Sequence, residues 1–162
     1  PRRARTARRA RRGGRRADAS PRPLAPLEPP PPHETVAAAQ RAGFPVSLSV
    51  TGAASLSPAL AHSVGRIVQE GVTNAMRHAP AATSIEVRLV HTTDAVTIEV
   101  VNDGVVGSAG SSGFGLRGLA ERAAHSGGTI TSRPVDGGRW VLRAELPTTP
   151  SALTDSEPEE RP

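Results

Sequence analysis

The sequence predicts a two-layer α+β sandwich in which helices cover one face of a mostly antiparallel, mixed sheet. Apolar residues recur at helical spacing in three segments and alternate with polar residues in five others. Along the chain these segments follow the order helix, strand, helix, strand, strand, loop, helix, strand, strand. With two phenylalanines, one tryptophan and no tyrosine, the core between the layers is expected to be largely aliphatic.

The three helices are predicted at residues 34–42, 57–79 and 116–126. The second has the clearest ends, because Ser57-Pro58 combines an N-cap serine with a proline at the first helical position, and Ala79-Pro80 stops the helix. Glycines follow the first and third helices and are expected to end them.

Period-two alternation predicts five strands, at residues 46–50, 85–89, 96–100, 129–132 and 139–146. A short turn at Thr92-Thr93-Asp94 joins the second and third strands, which predicts an antiparallel hairpin with one buried face. In the last strand the apolar residues from Trp140 to Leu146 share one face.

Charge divides the chain into three parts. Residues 1–32 hold ten arginines against two acids, residues 33–150 nine arginines against nine acids, and residues 151–162 one arginine against four acids. The Arg/Pro-rich segment 1–32 and the acidic segment 148–162 are expected to be disordered, on either side of a folded domain at 33–147. The basic segment lacks aromatics for base stacking, so it is interpreted as a linker and nucleic acid is not expected as a partner.

Composition also excludes some classes of protein. The chain has no cysteine, so it forms neither a disulfide framework nor a thiolate metal site. No apolar run approaches the ~20 residues of a membrane helix, and the arginines near the start are not followed by the apolar segment of a secretory signal. A cytoplasmic location is expected. Because the chain begins with proline, we expect either a fragment of a longer protein or a truncated form, and membrane anchoring of the parent protein stays open.

Three polar residues lie along one margin of the predicted second helix. Glu70, Asn74 and His78 fall at i, i+4 and i+8. An apolar stripe adjoins them, formed by Leu60, Val64, Ile67, Val68, Gly71, Val72 and Ala75. This arrangement predicts the wall of a cleft, and the alternative is a solvated helix face.

Two further motifs follow in the chain: Asn102-Asp103-Gly104 at a strand end, and Gly113-Phe114-Gly115-Leu116-Arg117-Gly118 opening a helix. With Glu70-x-x-x-Asn74 and Arg77-His78, they resemble the ATP-binding and catalytic domain of sensor histidine kinases, in particular the subgroup that partners LuxR-type response regulators. In the superfamily shared with Hsp90, DNA gyrase B and MutL, these are the N box and two glycine boxes. The resemblance covers about residues 34–147 and implies a Bergerat-type ATP-binding fold.

The resemblance implies Mg·ATP as the ligand, with Glu70 and Asn74 as catalytic residues. Mg²⁺ takes few oxygen ligands from protein, so the Asn74 amide oxygen and the triphosphate oxygens together form a suitable ligand set. Glu70 would hold a ligated water or accept a proton from an attacking imidazole. The ATP-binding residues implied are Asn74, Arg77, His78, Asp103, Gly104, Gly107, Gly113, Phe114, Gly115 and Leu116, with Asp103 accepting the adenine amino hydrogen.

Two departures from the family pattern are visible. The first glycine box usually reads Asp-x-Gly-x-Gly, whereas here a glycine follows Asp103 directly and the later glycine is displaced to Gly107. The threonine that many relatives carry near adenine has no match around Gly138 to Trp140.

The predicted function is therefore the catalytic domain of a two-component sensor kinase that donates the γ-phosphoryl group to a histidine elsewhere. None of His33, His62, His78, His91 and His125 lies in the acid-flanked setting of a phosphoacceptor, so autophosphorylation within this chain is not expected. The partners implied are a phosphoacceptor dimerisation domain and a LuxR-type response regulator, with a homodimeric parent protein and a monomeric fragment. The alternatives are an anti-sigma-factor-type serine kinase and a non-enzymatic binding module.

Overall fold

A computed structural model describes residues 28–53, 55–105 and 114–149 of the chain. Its elements are α1 Pro32–Arg41, β1 Val46–Thr51, α2 Pro58–His78, β2 Ile85–His91, β3 Ala95–Asn102, α3 Phe114–His125, β4 Thr129–Val135 and β5 Arg139–Pro147. The predicted order of elements is confirmed. Within these ranges, no helix is both long enough and apolar enough to cross a membrane.

The strands form one sheet in the order β1-β2-β3-β5-β4. β2 and β3 make the predicted antiparallel hairpin, with Ile85 opposite Asn102 and His91 opposite Val96. β5 pairs antiparallel with both β3 and β4, whereas β1 pairs parallel with β2. The parallel pair is possible because α2 forms the crossover between these two strands. The sheet is therefore mixed and mostly antiparallel, as predicted.

The core lies between the helices and one face of the sheet. Along β3 every second residue is buried, which places Val96, Ile98, Val100 and Asn102 on the helix-facing side. The opposite face is charged: Glu99 accepts from Arg88 Nη1 at 3.1 Å and lies 3.6 Å from Arg143 Nη1. Such exposed ion pairs contribute little to stability, so the aliphatic side holds the layers together.

The first strand is less buried than its alternation predicted. Val46 is buried and Leu48 half-buried, but Val50 is 56% exposed. β1 stands at the end of the strand order, with β2 as its neighbour in the described sheet. An edge strand receives packing from fewer directions, so the expected buried position at Val50 was wrong.

Ordered structure begins before the predicted domain boundary. Pro29 and Pro30 were assigned to the disordered segment, yet both pack against Gly65 of α2, where an added Cβ would lie 3.1 Å from the Pro30 carbonyl oxygen. At the other end, the Thr148 amide donates to the Asp94 carbonyl oxygen at 2.9 Å. Residues 1–27 and 150–162, also predicted to be disordered, lie outside the described ranges.

A close contact between Gly71 and Val100 sets the distance between α2 and the sheet. A Cβ built on Gly71 would lie 2.9 Å from Val100 Cγ2, and Val100 is fully buried. A valine is stiff about χ1 and cannot swing away in a packed core. The helix backbone therefore approaches β3 more closely than a larger residue would allow.

Gly71→Ala is expected to destabilise the fold, because overpacking a core contact costs about 1–3 kcal/mol. The matched control is Gly118→Ala on α3, where the new Cβ would meet, among the described residues, only the Arg122 guanidinium at 4.0 Å. Both variants gain the same helix propensity, so the difference between their unfolding free energies isolates the overpacking. Denaturant titration measures that difference, and equal stabilities for the two variants would contradict the contact.

Candidate active site

The second half of α2 carries the predicted polar margin, and its residues differ in exposure. The helix starts as predicted, with the Ser57 hydroxyl accepting from the Leu60 amide at 3.3 Å. Towards its end Glu70 is half-buried and Asn74 is only 7% exposed, whereas Arg77 and His78 are exposed. The polar margin formed by Glu70, Asn74 and His78 is therefore solvent-exposed only at its last residue.

Asn74 is the buried polar residue of this helix. Its neighbours Val72 and Ala75 belong to the aliphatic core. Burial of an amide costs free energy unless it is hydrogen-bonded or bound to a ligand. Asn74 is therefore a candidate for binding a ligand.

The end of α2 meets the end of β3. Gly71 packs on Val100, and beyond the helix the backbone of Ala82 lies beside Gly104, where an added Cβ would be 3.0 Å from Ala82 Cα. Gly104 has a φ of +73°, a conformation that side chains other than glycine rarely adopt. The fold thus brings Asn74 and the Asn102-Asp103-Gly104 motif to the same end of the sandwich.

Asp103 binds the loop between α2 and β2. Its Oδ1 accepts from the Thr83 amide at 2.7 Å and from the Ser84 amide at 3.0 Å, and its Oδ2 accepts from the Thr83 hydroxyl. The Thr83 hydroxyl and then the Ser84 amide lower the pKa of the Asp103 carboxyl group. Sequence reasoning missed Thr83 and Ser84, which lie about twenty positions away in the chain. The predicted contact between Asp103 and adenine stays a prediction.

Asn102 is a second buried amide at this end of the sandwich. It is 2% exposed, and its Nδ2 donates to the Asp103 carbonyl oxygen at 2.8 Å. Its Oδ1 is buried and has no hydrogen-bond partner among the described residues. The sequence indicated this burial, because Asn102 follows Val100 at the next inward-facing position of β3.

The glycine motif before α3 is described only in part. α3 begins at Phe114, two residues before the predicted start, so Phe114 and Gly115 lie in its first turn. Leu116 is buried in the core and fixes this end of the helix against the sheet. Gly107 and Gly113 lie outside the described residues.

The residues at this end of the sandwich fit a magnesium ion that is coordinated mainly by a bound triphosphate. Across the described ranges, no group of three histidine, aspartate or glutamate side chains could hold a metal ion. Mg²⁺ bound to a triphosphate needs only one or two oxygen ligands from protein, and an amide oxygen is one of the ligands it accepts. Asn74 can supply that ligand.

Comparison with known proteins shows the family to which the chain belongs. The family of histidine kinase-, DNA gyrase B- and HSP90-like ATPases matches residues 60–150 of the chain, which includes α2, β3 and α3. The chain belongs to this family. The matched region is the ATPase catalytic domain of histidine kinases, as its curated relatives indicate.

Two of these relatives are from Bacillus subtilis (strain 168). Sensor histidine kinase YxjM is 32% identical over 110 residues, covering 67% of this chain and 27% of YxjM. Sensor histidine kinase LnrJ is 36% identical over 92 residues, covering 56% of this chain and 23% of LnrJ. The chain therefore spans about a quarter of the length of these relatives.

Solved structures show the same fold. The ATP-binding domain of PrrB from Mycobacterium tuberculosis matches with a TM-score of 0.57 at 23% identity, over 71% of this chain and 89% of that one. The catalytic domain of histidine kinase ThkA matches with a TM-score of 0.56 at 14% identity, over 74% and 90% respectively. At these identities the likeness establishes the fold of the ATPase domain and nothing finer.

Asp103→Ala is expected to lower the thermal unfolding midpoint at neutral pH, since the three hydrogen bonds to Thr83 and Ser84 are lost. Because the pKa of Asp103 is lower in the folded state, its contribution is complete above the ordinary value of 3.8 and is lost as the pH falls through the folded-state pKa. The difference in unfolding midpoint between wild type and variant should stay constant from about pH 7 to about pH 5 and shrink below the ordinary pKa.

Calorimetric unfolding across this pH range measures the gap. Asp94→Ala, which removes an exposed aspartate from the β2–β3 turn, is the control for the loss of a carboxylate. An Asp103→Ala midpoint equal to that of wild type at neutral pH, or a gap that persists unchanged in acid, would contradict the assigned role.

Proposed function

We propose that this chain is the ATP-binding catalytic domain of a two-component sensor histidine kinase. It binds Mg·ATP and donates the γ-phosphoryl group to a histidine on a dimerisation domain outside this chain. The observation that carries the proposal is the buried amide of Asn74, one helical turn after the half-buried carboxylate of Glu70, on the helix that meets the end of β3.

Asn74 would ligate the magnesium ion through its amide oxygen, and the bound ion supplies charge neutralisation at the β- and γ-phosphates. Glu70, one turn earlier and less buried, is placed to hold a ligated water or to accept the proton of the attacking imidazole. Arg77 and His78 are exposed in the last turn of α2 and would contact phosphate oxygens there.

The start of α3 would hold the other side of the triphosphate. Its first turn, from Phe114 to Leu116, presents unpaired backbone N–H groups and the positive end of the helix dipole, both of which favour an anion. Gly107, Gly113 and Gly115 would let the backbone approach the phosphates. In phosphoryl transfer such positioning and charge neutralisation supply most of the rate enhancement.

The base would lie where β3 ends, at Asn102, Asp103 and Gly104. The curated relatives YxjM and LnrJ are named sensor histidine kinases, which favours this function over a serine kinase or a non-enzymatic module. The proposal also includes a LuxR-type response regulator as the downstream partner. The parent protein would be a homodimer, and the fragment itself a cytoplasmic monomer.

Asn74→Ala is expected to weaken Mg·ATP binding by about 10- to 100-fold, because the metal loses its ligand from protein. The fold should persist, since alanine in a buried helical position adds no unpaired polar group. Isothermal titration calorimetry measures the affinity, and thermal unfolding without nucleotide checks the fold.

Thr73→Ala is the matched control, because Thr73 is exposed on the same turn of α2 and is expected to leave the affinity unchanged. An Asn74→Ala variant that binds Mg·ATP as tightly as the control would refute the site.

A further inference from the structure

We propose that a groove between the first half of α2 and the second half of α3 binds the acidic segment 151–162 of this chain, with Leu153 as the apolar anchor. The groove lies at the end of the sandwich opposite Asn74. The inference therefore goes beyond the proposed function and does not depend on nucleotide binding.

The floor of the groove is aliphatic. It is formed by the buried side chains of Ile67 on α2, Leu119 and Ala123 on α3, and Leu146 on β5. The cavity volume is about 140 Å³, close to the ~150 Å³ of an apolar cavity that holds one benzene molecule. One aliphatic side chain therefore fits there and would be removed from water by doing so.

The rim of the groove is basic. Arg66 on α2 and Arg122 on α3 line it and are exposed, and no acidic residue is among its lining residues. Arg66 Nη1 donates to the Gln69 side chain at 3.2 Å, and Arg122 Nε donates to the Gly118 carbonyl oxygen at 3.3 Å. Among the described residues neither guanidinium pairs with a carboxylate. Two arginines around an apolar floor favour an occupant that combines carboxylates with one apolar side chain.

The chain leaves the described domain at this groove. Pro147 and Thr148 are themselves lining residues. The Thr148 amide donates to the Asp94 carbonyl oxygen at 2.9 Å, and its hydroxyl donates to the Thr93 carbonyl oxygen at 2.7 Å. These bonds fix the point from which segment 151–162 continues.

Segment 151–162 has the composition that the groove requires. Leu153 is its one large aliphatic residue, and four acids against one arginine follow, beginning with Asp155 and Glu157. Leu153 comes five positions after Thr148, within a reach of about 17 Å. A tether this short gives an effective concentration on the order of 1 mM, so a contact with a Kd of about 1 mM would be formed in roughly half of the molecules.

The groove and the proposed nucleotide site lie at opposite ends of the sheet. In the pairing of β3 with β5, Ala95 lies opposite Pro147 and Asn102 lies opposite Trp140. Seven residue steps of about 3.4 Å separate Ala95 from Asn102, or about 24 Å. A segment bound in the groove would join α2 to α3 and leave Asn74 uncovered.

Paramagnetic relaxation tests the contact in the full chain 1–162. The chain has no cysteine, so Ser156→Cys provides a single attachment site for a nitroxide label. In the ¹⁵N-labelled protein at low salt, the backbone amides of Arg66 and Ala123, on the two sides of the groove, should lose most of their signal intensity relative to the reduced label. The amide of Gly104, at the other end of the sheet, should be unaffected.

Variants of the labelled chain separate binding from mere tethering. Arg66→Glu with Arg122→Glu should restore most of the lost intensity, because like charges then face each other at short range. Arg133→Glu with Arg139→Glu is the matched control, since it reverses the same charge on exposed arginines near the β4–β5 turn, and the loss should persist. Leu153→Ser should also restore the intensity. It leaves every residue of the described domain in place, so it decides the question if the arginine variants do not fold.

Two results would overturn the inference. An intensity loss that is equal in wild type, Leu153→Ser and both arginine pairs would come from the tether alone. A loss that also appears when the nitroxide is carried by ¹⁴N copies, mixed with ¹⁵N copies that lack it, would assign the groove to a second molecule. Neither result bears on Mg·ATP binding, which Asn74→Ala tests separately.

Discussion

The contact between Gly71 and Val100 is the constraint on which the rest of the structure depends. It lets the backbone of α2 lie close to β3, and thereby sets the height of the helix above the sheet. Asn74 lies in the buried layer, while Arg77 and His78, about one turn later, stay exposed. Asn74 lies three residues after Gly71, so helical spacing places both on the sheet-facing side of α2.

Two buried amides stand at the same end of the sandwich and weaken the core that surrounds them. Asn74 and Asn102 each occupy a position where an aliphatic residue would pack without the cost of burying polar atoms. Asp103 offsets part of this cost, because its hydrogen bonds attach the α2–β2 loop to the strand end.

The elements were predictable because their signals are local. Ser57-Pro58 and Ala79-Pro80 bound α2 within a residue of its observed ends, and the alternation of β2 and β3 gave the hairpin. The exposure of Val50 was not predictable in this way, since it depends on β1 lying at the sheet edge. The partners of Asp103 depend on residues brought together only by the fold. The inward-facing position of Asn102 was readable from the alternation of β3, but its burial depends on the layers that pack over it.

The central claim is that a metal–ATP complex binds where the end of α2 meets the end of β3, and paramagnetic NMR tests it directly. Mn²⁺ replaces Mg²⁺ and broadens the signals of nearby nuclei in the ¹⁵N-labelled chain when ATP is present. The account predicts broadening of the Asn74 side-chain amide and of the backbone amides from Glu70 to His78, with Thr131 on β4 unaffected. Signals of α2 that stay sharp, or broadening that appears equally without ATP, would contradict it.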